Sequence, residues 1–163
     1  MRVLITGADG FAGRHLIHEL TSGNHELHGT SFRPFKLPGA AVTYHTVDLR
    51  DETAVANLIA EIAPDHIYHL AAQASPARSY SAVWSTLENN IHAQLSVILG
   101  CLTHNLKPRI LVVSSGDIYG EQTDDRPATE DMPLRPSNPY SVSKVAQDML
   151  ALQYYLSNDL PIM

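Results

Sequence analysis

Seven residues near the N-terminus, Gly7-Ala8-Asp9-Gly10-Phe11-Ala12-Gly13, constrain the fold more than any other stretch. They follow an apolar run, residues 2–6, that reads as a buried strand. They open an amphipathic stretch, residues 11–21, that reads as a helix. Glycines in a strand-to-helix turn permit a tight reversal, close approach of a phosphate to the backbone, and close packing of helix on strand. The helix start presents free N–H groups and the positive end of its dipole to an anion. The spacing is G-x-x-G-x-x-G rather than the commoner G-x-G-x-x-G. A chain that begins this way is expected to build a parallel α/β sheet around a pyrophosphate-binding crossover.

The rest of the chain continues the alternation. Residues 26–32, 41–47, 66–71 and 109–114 read as strands. Residues 52–62, 81–103 and 140–156 read as helices, the first with Asp51 as a plausible N-cap. Residues 121–139, rich in Pro and Asp, read as loop. Such alternation predicts a doubly wound parallel sheet. Residues 160–163 look like the start of a sixth strand that is cut off, which would leave an apolar face uncovered. The N-terminal part of a longer protein is therefore expected, in preference to a short natural chain. At 163 residues, 44% of them hydrophobic and 17% charged, the chain is long enough for one domain with a real core. A net formal charge of −6 gives no reason to expect nucleic acid or an anionic membrane as partner. With Cys101 as the single cysteine, an internal disulfide is impossible. No run approaches the ~18 apolar residues of a membrane span, and a soluble cytoplasmic protein is expected.

Chemistry-bearing residues gather at the predicted strand ends. After the second strand, Thr30-Ser31-Phe32-Arg33 holds no acid to bind a ribose 2′-hydroxyl. It holds Arg33, with Lys36 close behind, and cations there suit the 2′-phosphate of NADP. After the third strand, the Asp48 of Val47-Asp48-Leu49 can either accept a hydrogen bond from an adenine amino group or cap the next helix. After the fifth, Ser114 and Ser115 leave the sheet where open α/β folds bind ligands. Tyr140 and Lys144, four residues apart, share one helix face at roughly 5–6 Å between Cβ atoms. A neighbouring ammonium favours an ionised phenol, so the pair can act as a general acid or base near neutral pH. The nine histidines include His15 and His18 on one helix face, but no carboxylate–histidine cluster has ligand spacing, and no metal is expected. Cys101 reads as a buried small residue, and Trp84 and Leu87 as core or subunit interface.

Four ordered segments carry a resemblance. Thr6-Gly7-Ala8-Asp9-Gly10-Phe11-Ala12-Gly13, His69-Leu70-Ala71-Ala72, Ser114-Ser115-Gly116-Asp117-Ile118-Tyr119-Gly120 and Asn138-Pro139-Tyr140-Ser141-Val142-Ser143-Lys144 resemble the TGxxGFxG, HLAA, SSxxxYG and NPYxxSK motifs of the extended short-chain dehydrogenases/reductases, specifically the nucleotide-sugar epimerase/dehydratase family. The resemblance implies a Rossmann-like, doubly wound sheet, here truncated before the sixth strand and the substrate domain. It implies a cofactor, NADP(H) in preference to NAD, held by Gly7, Gly10, Phe11, Ala12, Gly13, Arg33, Asp48, Leu49, Leu70, Ala71, Ala72, Tyr140 and Lys144. It implies Ser115, Tyr140 and Lys144 as catalytic residues, with Ser115 ahead of Ser114. A nucleotide-sugar substrate would meet Gln73, Ser115, Gly116, Asp117 and Tyr140. Asp117 stands where dehydratases carry a longer glutamate, which leans the reading toward a reductase of a GDP-linked 4-keto sugar. A dehydratase, a C4 epimerase, an inactive fragment and a non-catalytic dinucleotide-binding regulator are the alternatives. Family members often dimerise through the helices expected at 81–103 and 140–156.

Overall fold

A computed structural model describes residues 1–121 and 127–163. Five parallel strands form one sheet in the order β3-β2-β1-β4-β5: β1 Arg2–Thr6, β2 Glu26–Ser31, β3 Val42–Thr46, β4 His66–His69 and β5 Arg109–Val112. β1 is central and almost wholly buried, which is why it reads as a continuous apolar run. Its side chains alternate between two cores. Val3 and Ile5 pack with Ile17 of helix α1 (Phe11–Thr21), while Leu4 packs on the opposite face with helices α2 (Glu52–Ile62) and α5 (Ala93–Thr103). Near the end of the chain, Ile162 forms a parallel bridge with Ile110, extending the order on the β5 side as the expected sixth strand would. Leu111 and Val113 at that edge, with Leu152, Tyr155 and Leu156, remain exposed.

Local sequence explains the helices. Asp51 caps α2 by accepting from Ala54 N–H at 2.9 Å. Val55, Leu58, Ile59 and Ile62, at i, i+3, i+4 and i+7, are its buried face. α2 ends at Ala63, in the left-handed region at φ 42°, just ahead of Pro64. The last helix, α6 (Pro139–Asn158), starts from a capping box in which Asn138 and Ser141 exchange hydrogen bonds, with Pro139 in the first turn. Its buried stripe begins polar, with Tyr140, Ser141, Ser143, Lys144 and Gln147, and turns apolar only at Ala151. A stripe of that kind marks a site rather than a plain core. Cys101 is fully buried on α5, and its apolar surroundings push the thiol up to about 12.

The helix expected over 81–103 is present, helical without interruption from Val83 to Thr103, but it is not regular throughout. Short helices α3 (Pro76–Ser79) and α4 (Val83–Leu87) precede a π-helical turn, Glu88–His92, before α5 begins. The turn brings Asn90 to complete burial, where both polar atoms of its side chain have partners. Asn90 Oδ1 accepts from Gln73 N–H at 2.7 Å, and Nδ2 donates to the Gln73 carbonyl at 3.1 Å and to Ser143 Oγ at 2.8 Å. Buried amides demand such partners, and that demand overrides the regular helix. Trp84, left open between core and interface, is 78% exposed and so not core. Of the expected loop, residues 122–126 lie outside the described residues. The rest of it holds no helix or strand up to Pro139.

Between β2 and β3, His28 Nδ1 lies 3.0 Å from His45 Nε2, while His28 Nε2 lies 3.1 Å from Glu26 Oε1. Burial first, and His28 second, hold His45 below the usual histidine range.

Asn138→Ala removes one half of the capping box at the start of α6. We expect a loss of about 1 kcal/mol in stability, read as a lower urea midpoint at unchanged slope.

Candidate active site

A cleft of about 430 Å³ opens at the C-terminal ends of β1, β2, β3 and β4, where open α/β sheets bind ligands. Its floor is the turn between β1 and α1. Gly7 sits there at φ +68°, and a side chain on it would meet the Ala71 backbone at 2.9 Å. Gly13 is as constrained, because a Cβ would lie 2.3 Å from the Gly7 carbonyl oxygen. Gly10 caps α1 without any side-chain hydrogen bond, leaving the first N–H groups of the helix to be met from the cleft.

Several predicted residues line this cleft: Gly7, Gly10, Asp48, Leu49, Leu70, Ala71, Ala72 and Gln73. Phe11, Ala12 and Gly13 belong to the first turn of α1 behind it. Phe11 is 84% exposed and edge-stacked on His15, with ring centroids 4.6 Å apart. Arg33 is exposed just beyond Phe32, which does line the cleft. The Ser31 hydroxyl donates to the Arg33 carbonyl at 2.6 Å and shapes that turn.

Four cleft residues escaped the sequence reading. Arg50 grips Asp48, donating to its carboxylate from Nε at 3.0 Å and from Nη2 at 2.7 Å. This hydrogen bonding holds the Asp48 carboxyl below its ordinary range. The Asp48 side chain is thus held by Arg50, and the cap of α2 is Asp51. The other three are Arg78 on α3, Ser85 on α4 and Asn89 in the π turn. Arg50 was legible only as part of an Asp-x-Arg pair.

The predicted acid–base group lies on the far side of β4, outside the cleft lining. Tyr140 and Lys144 are both buried on α6, with Lys144 Nζ 5.9 Å from the Tyr140 ring centroid. Lys144 Nζ donates to the Val113 carbonyl at 2.8 Å. Burial pushes this ammonium down to about 8, against an opposing pull from the Asp148 carboxylate. Ser115 caps a short 3₁₀ turn, Gly116–Tyr119, its oxygen accepting from Asp117 N–H at 3.3 Å. Among the described residues its own hydroxyl proton has no acceptor. Ser114 instead donates to Asp148 Oδ2 at 3.2 Å. Gly116 and Asp117 are exposed on the same turn.

Below them sits His69, wholly buried, with Nδ1 3.0 Å from Thr6 Oγ1. Nε2 has no partner among the described residues. Burial, and then the Lys144 charge, lower it to about 4.

The sheet order and the glycine turn define a Rossmann-type α/β domain. Residues 3–163 match the NAD dependent epimerase/dehydratase family, and the chain belongs to it. Among similar proteins is the GDP-6-deoxy-D-mannose reductase of Pseudomonas aeruginosa, 30% identical over 94% of this chain and 47% of that protein. Another is the dTDP-glucose 4,6-dehydratase of Streptomyces antibioticus, 30% identical over 99% of this chain and 51% of that protein. The Thermus thermophilus UDP-glucose 4-epimerase, solved in complex with NAD, superposes with a TM-score of 0.92 at 32% identity, over 99% of this chain and 53% of that one. The chain thus spans about half the length of the curated relatives it matches. Members of the family are nucleotide-sugar epimerases, dehydratases and reductases that bind NAD(P). Among the described residues, no helix is long and apolar enough to cross a membrane.

His69 carries a pH prediction. Unfolded, it takes up a proton near 6.5; folded, only near 4. Between those values the unfolded chain binds more protons, so stability falls as pH is lowered, by up to about 1.4 kcal/mol per pH unit. His45 adds a loss of the same sign. The melting temperature should drop between pH 7 and pH 5, above the carboxylate range; a flat curve there would contradict the neutral burial of His69.

Proposed function

We propose that this chain is the cofactor-binding and proton-transfer half of a reductase. Its substrate would be GDP-4-dehydro-6-deoxy-D-mannose, reduced at the C4 ketone to GDP-D-rhamnose with NADPH. The observation that carries the reading is the buried Tyr140–Lys144 pair, seated against the end of β5 beside a serine with a hydroxyl proton to give. The curated likeness to a GDP-6-deoxy-D-mannose reductase supports the choice of substrate. Asp117 supports a reductase, since a short, exposed aspartate suits removal of a C5 proton less well than a glutamate.

The cleft fits a dinucleotide. The Gly7 turn leaves room that a Cβ would fill, and α1 offers uncapped N–H groups to a pyrophosphate. Asp48 and Leu49 would border the adenine, Leu70, Ala71 and Ala72 the middle of the molecule, and Lys144 the nicotinamide ribose. The bound nicotinamide supplies hydride chemistry. Tyr140 gives its phenolic proton to the developing C4 alkoxide, and Ser115 donates a hydrogen bond to the same oxygen. Lys144 stabilises the phenolate that remains. Positioned proton transfer of this kind contributes about 10²–10⁴-fold.

A C4 epimerase is the second reading, favoured by the close superposition on the Thermus thermophilus enzyme. The remaining substrate contacts would come from a C-terminal domain, and the whole protein would work as a cytoplasmic homodimer. Its interface would be the α4–α5 segment with α6, where Trp84, Val142 and Met149 are exposed.

In the longer protein, Tyr140→Phe should lower turnover by about 10²–10⁴-fold and leave NADPH affinity nearly unchanged; equal loss of both would remove the assignment. Calorimetric titration of this chain should show tighter binding of NADPH than of NADH. Arg33→Ala should erase that difference, costing NADPH roughly tenfold through one charge-assisted contact. No preference in the parent chain would turn the reading to NAD and toward the epimerase.

A further inference from the structure

Three side chains of α6, Tyr140, Lys144 and Asp148, follow one another at intervals of four residues. On a helix such residues stand one above the other, so they form a single column. Tyr140 and Lys144 are buried and Asp148 is half-buried. The column meets the end of β5 at two successive residues. Lys144 Nζ donates to the Val113 carbonyl at 2.8 Å, and Asp148 Oδ2 accepts from Ser114 Oγ at 3.2 Å. Neighbouring residues of the strand end thus hold neighbouring turns of the helix.

The charges around Lys144 differ in sign and in origin. Along α6, Tyr140 lies one turn before it and Asp148 one turn after. From the sheet, β4 contributes His69, buried and neutral at ordinary pH, and the end of β5 contributes the Val113 carbonyl and the Ser114 hydroxyl. Asp148 is the group that acts on Lys144 as a favourable charge, while burial acts against it.

We propose that Asp148 is a positioning residue of this site: anchored by Ser114 and standing beyond ion-pair contact, its carboxylate acts through charge as a clamp that keeps the Lys144 ammonium on Val113 beside Tyr140. The inference rests on the reading of Tyr140 and Lys144 as a proton-transfer pair. It also explains why two adjacent serines divide their work. Ser114 is spent on Asp148, and Ser115 keeps its proton for the ligand side.

The chain has three lysines, Lys36, Lys107 and Lys144, so ¹³Cε-lysine labelling gives a spectrum simple enough to follow one of them through a pH titration. The Lys144 signal, assigned by its loss in Lys144→Arg, should titrate near 8 in the parent chain. Asp148→Asn should lower that midpoint by about one pH unit, and Asp148→Glu should return it to within about 0.3. Ser114→Ala keeps the charge but loses the anchor, and should lower the midpoint by about half a unit. A midpoint unmoved by Asp148→Asn overturns the proposal. If the amide spectrum shows Asp148→Asn to be unfolded, Ser114→Ala decides, and an unchanged midpoint there overturns it. The titration needs no substrate, so it is separable from the functional reading. A Lys144 that responds as described in a protein whose turnover survives Tyr140→Phe would leave the clamp standing and remove the catalytic assignment.

Discussion

The ligand side of the sheet depends on the approach of Gly7 to Ala71. Two central strands end side by side there, and the backbone of one turn lies where the side chain of the other would be. The contact sets how far α1 stands from β4, and so how wide the cleft opens between them. Thr6 reinforces it from below. Its hydroxyl oxygen accepts from Ala71 N–H at 3.1 Å and also lies within bonding distance of His69. A residue with a side chain at position 7 would be strained twice, by its positive φ and by the collision.

From that junction the structure builds outward by satisfying buried polar groups. Gln73, four residues past His69, is held by Asn90 through both its backbone N–H and its carbonyl, and its side-chain amide donates to Thr86 at 3.1 Å. Asn90 in turn donates to Ser143 on α6. One amide therefore joins the loop after β4, the π turn and the helix that carries Tyr140 and Lys144. Such networks are demanding, since an unmet member costs more than a met one gains. The irregular turn is the backbone's accommodation to that demand.

Much of this was legible in the chain. The glycine spacing, the buried run of β1, the cap at Asp51 and the Asn-Pro start of α6 each act locally, so local sequence displays them. The helix over 81–103 was legible, but its π turn was not, because the apolar periodicity is real on both sides of that turn. What accompanies the π turn is Asn90 reaching residues 17 and 53 positions away in sequence, and periodicity carries no trace of that. Asp48 was read as free for an adenine or for a cap. Its capture by Arg50, two residues on, depends on how the strand end turns. The resemblance ranks Ser115 ahead of Ser114, but only the fold shows that Ser114 faces Asp148. His69 was read as part of a motif, while its neutral, enclosed state follows from the layers packed around it.

Cys101 has a practical meaning of its own. It is the chain's single thiol, shut between α2, α5 and the sheet, with its ionisation pushed far above neutral pH. Alkylating reagents attack the thiolate, so the folded chain should be all but inert to them. Any labelling then counts the moments when the helical layer parts from the sheet. The protein carries a native reporter of its own opening, placed away from the cleft and requiring no engineered probe.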